Sequence, residues 1–283
     1  MMNISVIGAG YVGLITGIGF AKLNHQVSIV DLNDDLIKNL NENRPPFYEP
    51  ELVDYLNDSN IRNNLFFSTS YQKSINENTD IVFVCVQTPT DPDTGKTKTD
   101  YISSVLTELK KIESFNFIIC IKSTIKATLV EKISNEIDLD YKKIIFNPEF
   151  LREGSAFYDF FNPDRIVIGG SDQKGLNQCT ELYESFDCEK IITDSNSSQM
   201  IKYLSNTYLA MRLSFVNETY RLVSEFNGNP EEVLNAIGKD KRIGNDYFRP
   251  SPGWGGSCFP KDVKEVISSF QMDYQLPIIS EIL

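Results

Sequence analysis

The sequence predicts an α/β protein in which a doubly wound, mostly parallel sheet occupies residues 1–194 and an all-helical region with one long helix occupies residues 195–283. Three observations carry this expectation. Apolar runs of strand length alternate with helical patterns from Asn3 to Asp194, and such alternation implies right-handed crossovers with helices on both faces of a parallel sheet. A glycine-rich turn, Gly-Ala-Gly-Tyr-Val-Gly at 8–13, separates the first strand from the first helix. From Ser195 to Asn227 the chain holds neither proline nor glycine, the two residues that most often punctuate a helix.

In order, NISVIG reads as a strand, YVGLITGIGFAKL as a helix, QVSIVD as the second strand and DDLIKNL as a helix. DIVFVCV and FNFIICIK are nearly continuous apolar runs, as strands covered on both faces require, and YISSVLTELKKI and LVEKISNEI supply helices beside them. KKIIFN, RIVIGG and KIITD complete the sheet. The serines and asparagines at 195–198 offer an N-cap for the long helix, and Asn227-Gly228 offers its stop. Met200, Ile201, Leu204, Leu209, Met211, Leu213, Phe215, Val216, Leu222 and Phe226 place apolar groups on nearly every face of it. Such a helix is expected to be buried all round, within the subunit or against a second copy. PEEVLNAIG and PKDVKEVISSF predict two shorter helices after it.

Composition restricts the function. A net charge of -12 disfavours nucleic acid and anionic membrane as partners, since both require a basic surface. No apolar run reaches the roughly 18 residues of a membrane span, and the opening segment reads as a buried strand, so a cytoplasmic protein is expected. Five cysteines without a C-x-x-C pair argue against disulfides and structural zinc, and no metal site is expected. Cys85 and Cys120 lie in apolar strands and read as core. The single histidine, His25, sits in a helix-to-strand turn, so acid–base chemistry falls to Lys, Asp, Glu or water.

The glycine turn marks the sheet as Rossmann-like. Gly8 permits the tight turn, Gly10 lets a pyrophosphate approach the backbone, and Gly13 allows close packing of helix on strand, while Tyr11 and Val12 open the helix whose N-terminus faces the phosphates. Asp31 ends the next strand, where an acid accepts hydrogen bonds from an adenine ribose, which points to NAD rather than NADP. Thr88 and Thr90 in VQTPT, and Ser123 and Thr124 in IKST, follow two further strands. Each alone is turn chemistry; together they outline a crevice at the carboxyl edge of the sheet.

Three clusters carry rarer chemistry. NPEFLREG holds Glu149 and Glu153, KYLSN holds Lys202 and Asn206 on one face of the long helix, and GGSCFPKD holds Cys258, Lys261 and Asp262. A cation and an amide on a mostly apolar helix need partners, and a developing oxyanion is one candidate. Pro260 suits the first position of a helix and would set the Cys258 sulfur at its positive end, where thiol pKa values fall. Gly255 and Gly256 leave room for a substrate. A structural cysteine would more often sit inside an apolar strand.

GAGYVG, VQTPT, KST, NPEFLREG, KYLSNTYLAMR, RIGNDYF and GWGGSCFPKDV, in this order, resemble the UDP-glucose/GDP-mannose dehydrogenase family over essentially the whole chain. The resemblance implies a four-electron, NAD-dependent oxidation of a nucleotide sugar, UDP-glucose to UDP-glucuronate, through a thiohemiacetal and a thioester on Cys258. It implies that Lys202 and Asn206 stabilise the oxyanion, that Asp262 and a water held by Thr124 and Glu153 handle protons and hydrolysis, and that Glu149 shapes the site. It adds Thr88, Thr124, Glu153 and Lys261 to the cofactor site. Phe150, Leu151, Tyr247, Phe248, Arg249, Ser251 and Gly253 fall at substrate positions, with Glu149, Lys202, Asn206 and Cys258. Arg242 resembles a residue that reaches a neighbouring subunit's site, which with the long helix implies a homodimer.

Two departures qualify the match. Lys126 in IKATL stands where a proline is common, and the chain stops at Leu283 after ISEIL, so a truncated chain is expected, without the family's C-terminal UDP-binding domain. Such a chain could act as a non-catalytic NAD-binding, dimer-forming module. GDP-mannose or another nucleotide sugar is the alternative substrate, and a two-electron 3-hydroxyacid dehydrogenase, which needs no cysteine, is the rival chemistry.

Overall fold

The computed structural model describes residues 1–112, 116–256, 258–269 and 276–282, so the end of the last helix, expected at Phe270, lies outside the described residues. The chain runs β1 (Asn3–Ile7), α1 (Tyr11–Lys22), β2 (Gln26–Val30), α2 (Asp34–Asn41), α3 (Leu52–Asn57), α4 (Ser59–Arg62), β3 (Leu65–Ser68), α5 (Tyr71–Ser74) and β4 (Ile81–Val84). It continues with α6 (Asp100–Lys110), β5 (Ile118–Ile121), α7 (Ala127–Glu136), β6 (Ile144–Phe146), α8 (Ala156–Phe161), β7 (Arg165–Gly169), α9 (Gln173–Leu182) and β8 (Glu189–Thr193). The strands form one sheet in the order β3-β2-β1-β4-β5-β6-β7-β8, the doubly wound arrangement the sequence predicts. Every adjacent pair is parallel except β6 and β7, which meet antiparallel at Phe146 and Gly169.

Alternation along the strands builds a core on each face. Ile4, Val6, Ile29, Phe83 and Cys120 pack with Phe20 of α1 on one side, and Ile7, Val82, Val84 and Ile121 pack with Leu106 and Val130 of α6 and α7 on the other. The brief β6–β7 contact is reinforced by a side chain. Asn147 Nδ2 donates to the Val167 carbonyl at 2.8 Å, while its Oδ1 accepts from the Tyr183 hydroxyl at 2.6 Å and from Lys122 Nζ at 2.9 Å.

The chain divides into two compact units, Met1–Thr88 with Thr99–Met200, and Pro89–Lys98 with Ile201–Leu283. The second unit contains most of α10 (Ser195–Glu225), then α11 (Pro230–Gly238), α12 (Phe259–Ser269) and α13 (Pro277–Ser280). α10 starts where expected, but its cap is Asp194 rather than a serine or asparagine: the carboxylate accepts the Ser197 N–H at 2.9 Å. It stops as expected, with Asn227 in the left-handed region at φ 56° and the Gly228 N–H closing on the Val223 carbonyl at 2.9 Å. Burial all round within the subunit is corrected. Tyr203, Ala210, Leu213 and Val216 are buried, whereas Leu204, Tyr208, Phe215, Leu222 and Phe226 are exposed, Leu222 at 56% and Phe226 at 78%.

Within this unit Pro89–Lys98 forms a hairpin-like excursion, bridged at Thr90 and Thr97 and turned around Asp91, whose Oδ1 accepts from the Asp93 and Thr94 amides. Glu265 of α12 fastens it, accepting the Thr97 N–H at 2.6 Å and its hydroxyl at 2.7 Å. No helix among the described residues is long and apolar enough to cross a membrane.

Candidate functional site

The glycine turn of the first unit has the geometry a dinucleotide requires. Gly8 adopts φ 99°, and a Cβ there would lie 2.7 Å from the Cys85 carbonyl oxygen. A Cβ on Gly13 would fall 1.8 Å from the Gly8 carbonyl oxygen, so helix and turn can meet only through glycine. A Cβ on Gly10 would meet nothing within 4 Å, which leaves that backbone open to a ligand. Asp31 braces the turn: Oδ2 accepts the Ala9 N–H at 2.9 Å and Oδ1 the Asn33 N–H at 3.0 Å, with lone pairs remaining for a ribose hydroxyl. Val12 packs against the core, while the Tyr11 hydroxyl donates to Glu49 at 2.7 Å.

Around this turn the other predicted residues act first as struts. Thr88 is buried and donates to the Thr124 carbonyl at 2.9 Å, tying the ends of two strand-following loops together. Ser123 donates to the Val86 carbonyl at 2.6 Å. In the loop after β6, Glu149 is buried and accepts the Leu151 N–H at 2.7 Å; Arg152 pairs with Asp159 at 2.6 Å. The Arg165 guanidinium lies 3.9 Å from the centroid of the Phe150 ring, Leu151 packs on the core, and Glu153 is exposed. The strand thiols are inert by environment. Burial pushes Cys85 up to about 12, and burial, with a hydrogen bond to Cys179, pushes Cys120 well up too.

In the second unit a polar group gathers where α10 meets α12. Lys202, Asn206 and Asp262 are buried, Asp262 at 1% exposure. Asn206 Nδ2 donates to Asp262 Oδ2 at 2.6 Å, and Lys261 Nζ contacts Asp262 Oδ1 at 2.6 Å, so both carboxylate oxygens are engaged. Cys258 precedes the first residue of α12, and its carbonyl accepts the Asp262 N–H at 2.9 Å, which makes it the cap of the helix, with Pro260 in the first turn. Its side chain is an exposed thiol. Gly253 and Gly256 take positive φ values of 142° and 78°, and a Cβ at 253, 255 or 256 would meet nothing within 4 Å.

The remaining predicted residues of this unit are placed separately. Phe248 packs with Val216 and Leu234 beneath the Arg212 guanidinium, so its ring holds the loop to the core. Tyr247, at φ 56°, is exposed and meets the Phe259 ring edge-on. The Ser251 amide is held by Asn217 Oδ1 at 2.9 Å. Arg249 is exposed, and the exposed Arg242 forks onto Asp240 at 3.1 and 2.6 Å. Two buried charged residues of the first unit went unread in the sequence: Lys122, in the quoted KST, and Glu49, whose one local signal was the Pro50 that follows it in YEP.

A glycine turn at the edge of a doubly wound sheet, with an acid closing the next strand, defines a nicotinamide-dinucleotide-binding protein. Residues 2–187 match the NAD binding domain of the UDP-glucose/GDP-mannose dehydrogenase family and residues 196–283 its central domain, and the chain belongs to that family. Its cofactor is therefore NAD. It is 35% identical to UDP-glucose 6-dehydrogenase YwqF of Bacillus subtilis over 97% of the chain, and 36% identical to UDP-glucose 6-dehydrogenase of Rhizobium meliloti over 98%. The chain spans 64% and 65% of the length of those two relatives. The structure of a UDP-glucose dehydrogenase from Pyrobaculum islandicum superposes with a TM-score of 0.91 at 34% identity, covering all of this chain and 67% of the other.

Proposed function

We propose that the whole protein is a cytoplasmic enzyme that oxidises the primary alcohol of a nucleotide sugar, UDP-glucose, to the carboxylate of UDP-glucuronate. The observation that carries this reading is Cys258, an exposed thiol at the cap of α12, one turn from the buried Asp262 that holds Asn206. A two-electron dehydrogenase has no use for such a nucleophile. NAD, bound at the glycine turn, supplies the hydride acceptor for each of two oxidations.

Cys258 adds as thiolate to the aldehyde carbon, the C=O π bond breaks, and the oxygen of the thiohemiacetal takes up the charge. The Lys202 ammonium and the Asn206 amide stabilise that oxyanion; Asp262 keeps the amide turned. Loss of hydride from the same carbon leaves a thioester. Water attacks it, the C–S bond breaks, and sulfur leaves as thiolate. We assign proton handling to Asp262 and to a water held by Thr124 and Glu153, with Glu149 shaping the site and Thr88 and Lys261 serving the cofactor. Phe150, Leu151, Tyr247, Arg249, Ser251 and Gly253 are assigned to the sugar and phosphates, with Phe248 as the buried anchor of that loop. The exposed apolar stripe of α10 supports a homodimer formed with a second copy, to which Arg242 would contribute.

Steady-state assay of the whole protein against UDP-glucose, GDP-mannose and a UDP-N-acetylhexosamine is expected to favour UDP-glucose and to yield two NADH per acid. Cys258→Ser should lower acid formation by at least about 10³-fold. One NADH per product would restore the two-electron reading, and full acid production by the serine variant would refute the thioester route.

A further inference from the structure

The segment Phe47-Tyr48-Glu49-Pro50 belongs to none of the motifs above. We propose that Glu49 is a positioning residue that locks the 149–156 loop to the glycine turn, so that one buried carboxylate sets the cofactor-binding and substrate-facing parts of the first unit in register. The proposal rests on the reading of that loop as part of the active site.

Glu49 is 3% exposed and accepts three hydrogen bonds from distant chain segments. Oε2 accepts the Tyr11 hydroxyl at 2.7 Å and the Gly154 N–H at 2.9 Å, and Oε1 accepts the Ala156 N–H at 2.8 Å. These donors lie 38, 105 and 107 residues away, so the carboxylate joins the first residue of α1 to the end of the NPEFLREG loop and the start of α8. Burying a carboxylate is costly unless donors replace its water, and two backbone amides and a phenol do so here.

The loop is held on its other side as well. Arg152 pairs with Asp159 at 2.6 Å, and Gly154 turns at φ 88°, in the left-handed region. Glu153 lies between these anchors in sequence. Tyr11 is braced in turn, its ring 5.1 Å from that of Phe47, and its hydroxyl also reaches the Arg152 carbonyl at 3.3 Å. Burial, then Glu49, hold the Tyr11 hydroxyl well above its ordinary range, with the Glu153 charge acting in the same direction, so it remains a donor. A residue that only capped α8 would touch Ala156 alone.

The test is a pair of substitutions in the whole protein. Glu49→Gln keeps the shape but replaces one acceptor with an N–H₂ that must face either the Gly154 or the Ala156 amide. Amide exchange at those two positions should quicken by about tenfold or more, while the Ala9 amide, held by Asp31, keeps its rate. NAD affinity should weaken about threefold, and kcat with the nucleotide sugar should fall at least about tenfold. Tyr11→Phe, which leaves both amide contacts but takes one donor from the buried carboxylate, should lower kcat about threefold while amide exchange at Gly154 and Ala156 stays within about threefold of wild type.

If Glu49→Gln lowers only Tm and leaves amide exchange, NAD affinity and kcat of the folded protein at wild-type values, Glu49 is merely structural and the proposal is overturned. Should that variant not fold, an unchanged kcat in Tyr11→Phe overturns it instead. A wild type that oxidises no nucleotide sugar refutes the functional reading separately, and exchange at Gly154 and Ala156 together with NAD affinity then decides the role of Glu49.

Discussion

The two units use buried polarity differently. In the sheet unit several buried polar side chains complete hydrogen-bonding needs of the fold: Thr88 ties two loops, Asn147 bridges the β6–β7 seam, and Lys122 donates to Asn147 at 2.9 Å under a burial that lowers its pKa. The exterior of the second unit instead carries Phe215, Leu222 and Phe226, while Lys202, Asn206, Asp262 and Glu265 lie inside. Large apolar groups exposed along one helix favour association, and a lysine, an amide and a carboxylate buried together favour chemistry.

The glycines offer the sharpest test of that contrast. Gly13→Ala forces a Cβ to within 1.8 Å of a carbonyl oxygen, and we expect it to cost about 3 kcal/mol or more in denaturant unfolding and to abolish NAD binding in calorimetry. Gly255→Ala, where a Cβ meets nothing within 4 Å, should leave stability within about 0.5 kcal/mol. Equal losses at the two positions would erase the distinction between a packing glycine and an access glycine.

The apolar stripe gives an intermediate effect. Phe215→Glu with Leu222→Glu should weaken the proposed dimer by at least about 100-fold in sedimentation experiments; an unchanged mass at low micromolar concentration would mean that α10 is not the interface.

The smallest effect belongs to the sheet unit. Burial, and then the N-terminal ammonium, hold His25 below its usual value, and its Nδ1 accepts the Met2 N–H at 3.1 Å. Between the folded value and about 6.5 the unfolded chain binds more protons, so stability rises with pH there; the contribution is complete above about 6.5 and is lost as pH falls through the folded value. Wild type should therefore lose about 1–2 °C more in Tm than His25→Gln on acidification from pH 7 to 5. Parallel curves for the two proteins would show that the imidazole is not linked to folding.

What the sequence made legible was local. The glycine turn, the alternation of strands and helices and the stop at Asn227 each depend on a few neighbouring residues, and each is found in the structure. β3 went unread because Leu65–Ser68 holds only the three-residue apolar run Leu-Phe-Phe between polar neighbours, whereas the equally short β4 and β5 lie within the longer apolar runs DIVFVCV and FNFIICI. The exposed face of α10 could not be told from a buried one, since periodicity records hydrophobicity and not its partner. Glu49 was invisible because its meaning resides in amides over a hundred residues away. Asp262 was noticed beside Cys258, yet its grip on Asn206 spans 56 residues and needs the fold to be seen.

The excursion at Pro89–Lys98 bears on how this chain could be cut or recombined. The backbone passes between the units at Thr88, at Lys98 and again at Met200, so the second unit is not a continuous stretch of chain. A piece made from Ile201 onward would keep Glu265 but lose Thr97, which supplies two donors to that buried carboxylate. A piece ending at Met200 would keep the excursion without the helix that fastens it. The two units are compact in space yet indivisible as modules of sequence, and an exchange of parts between relatives must take the short insert and the cysteine helix together.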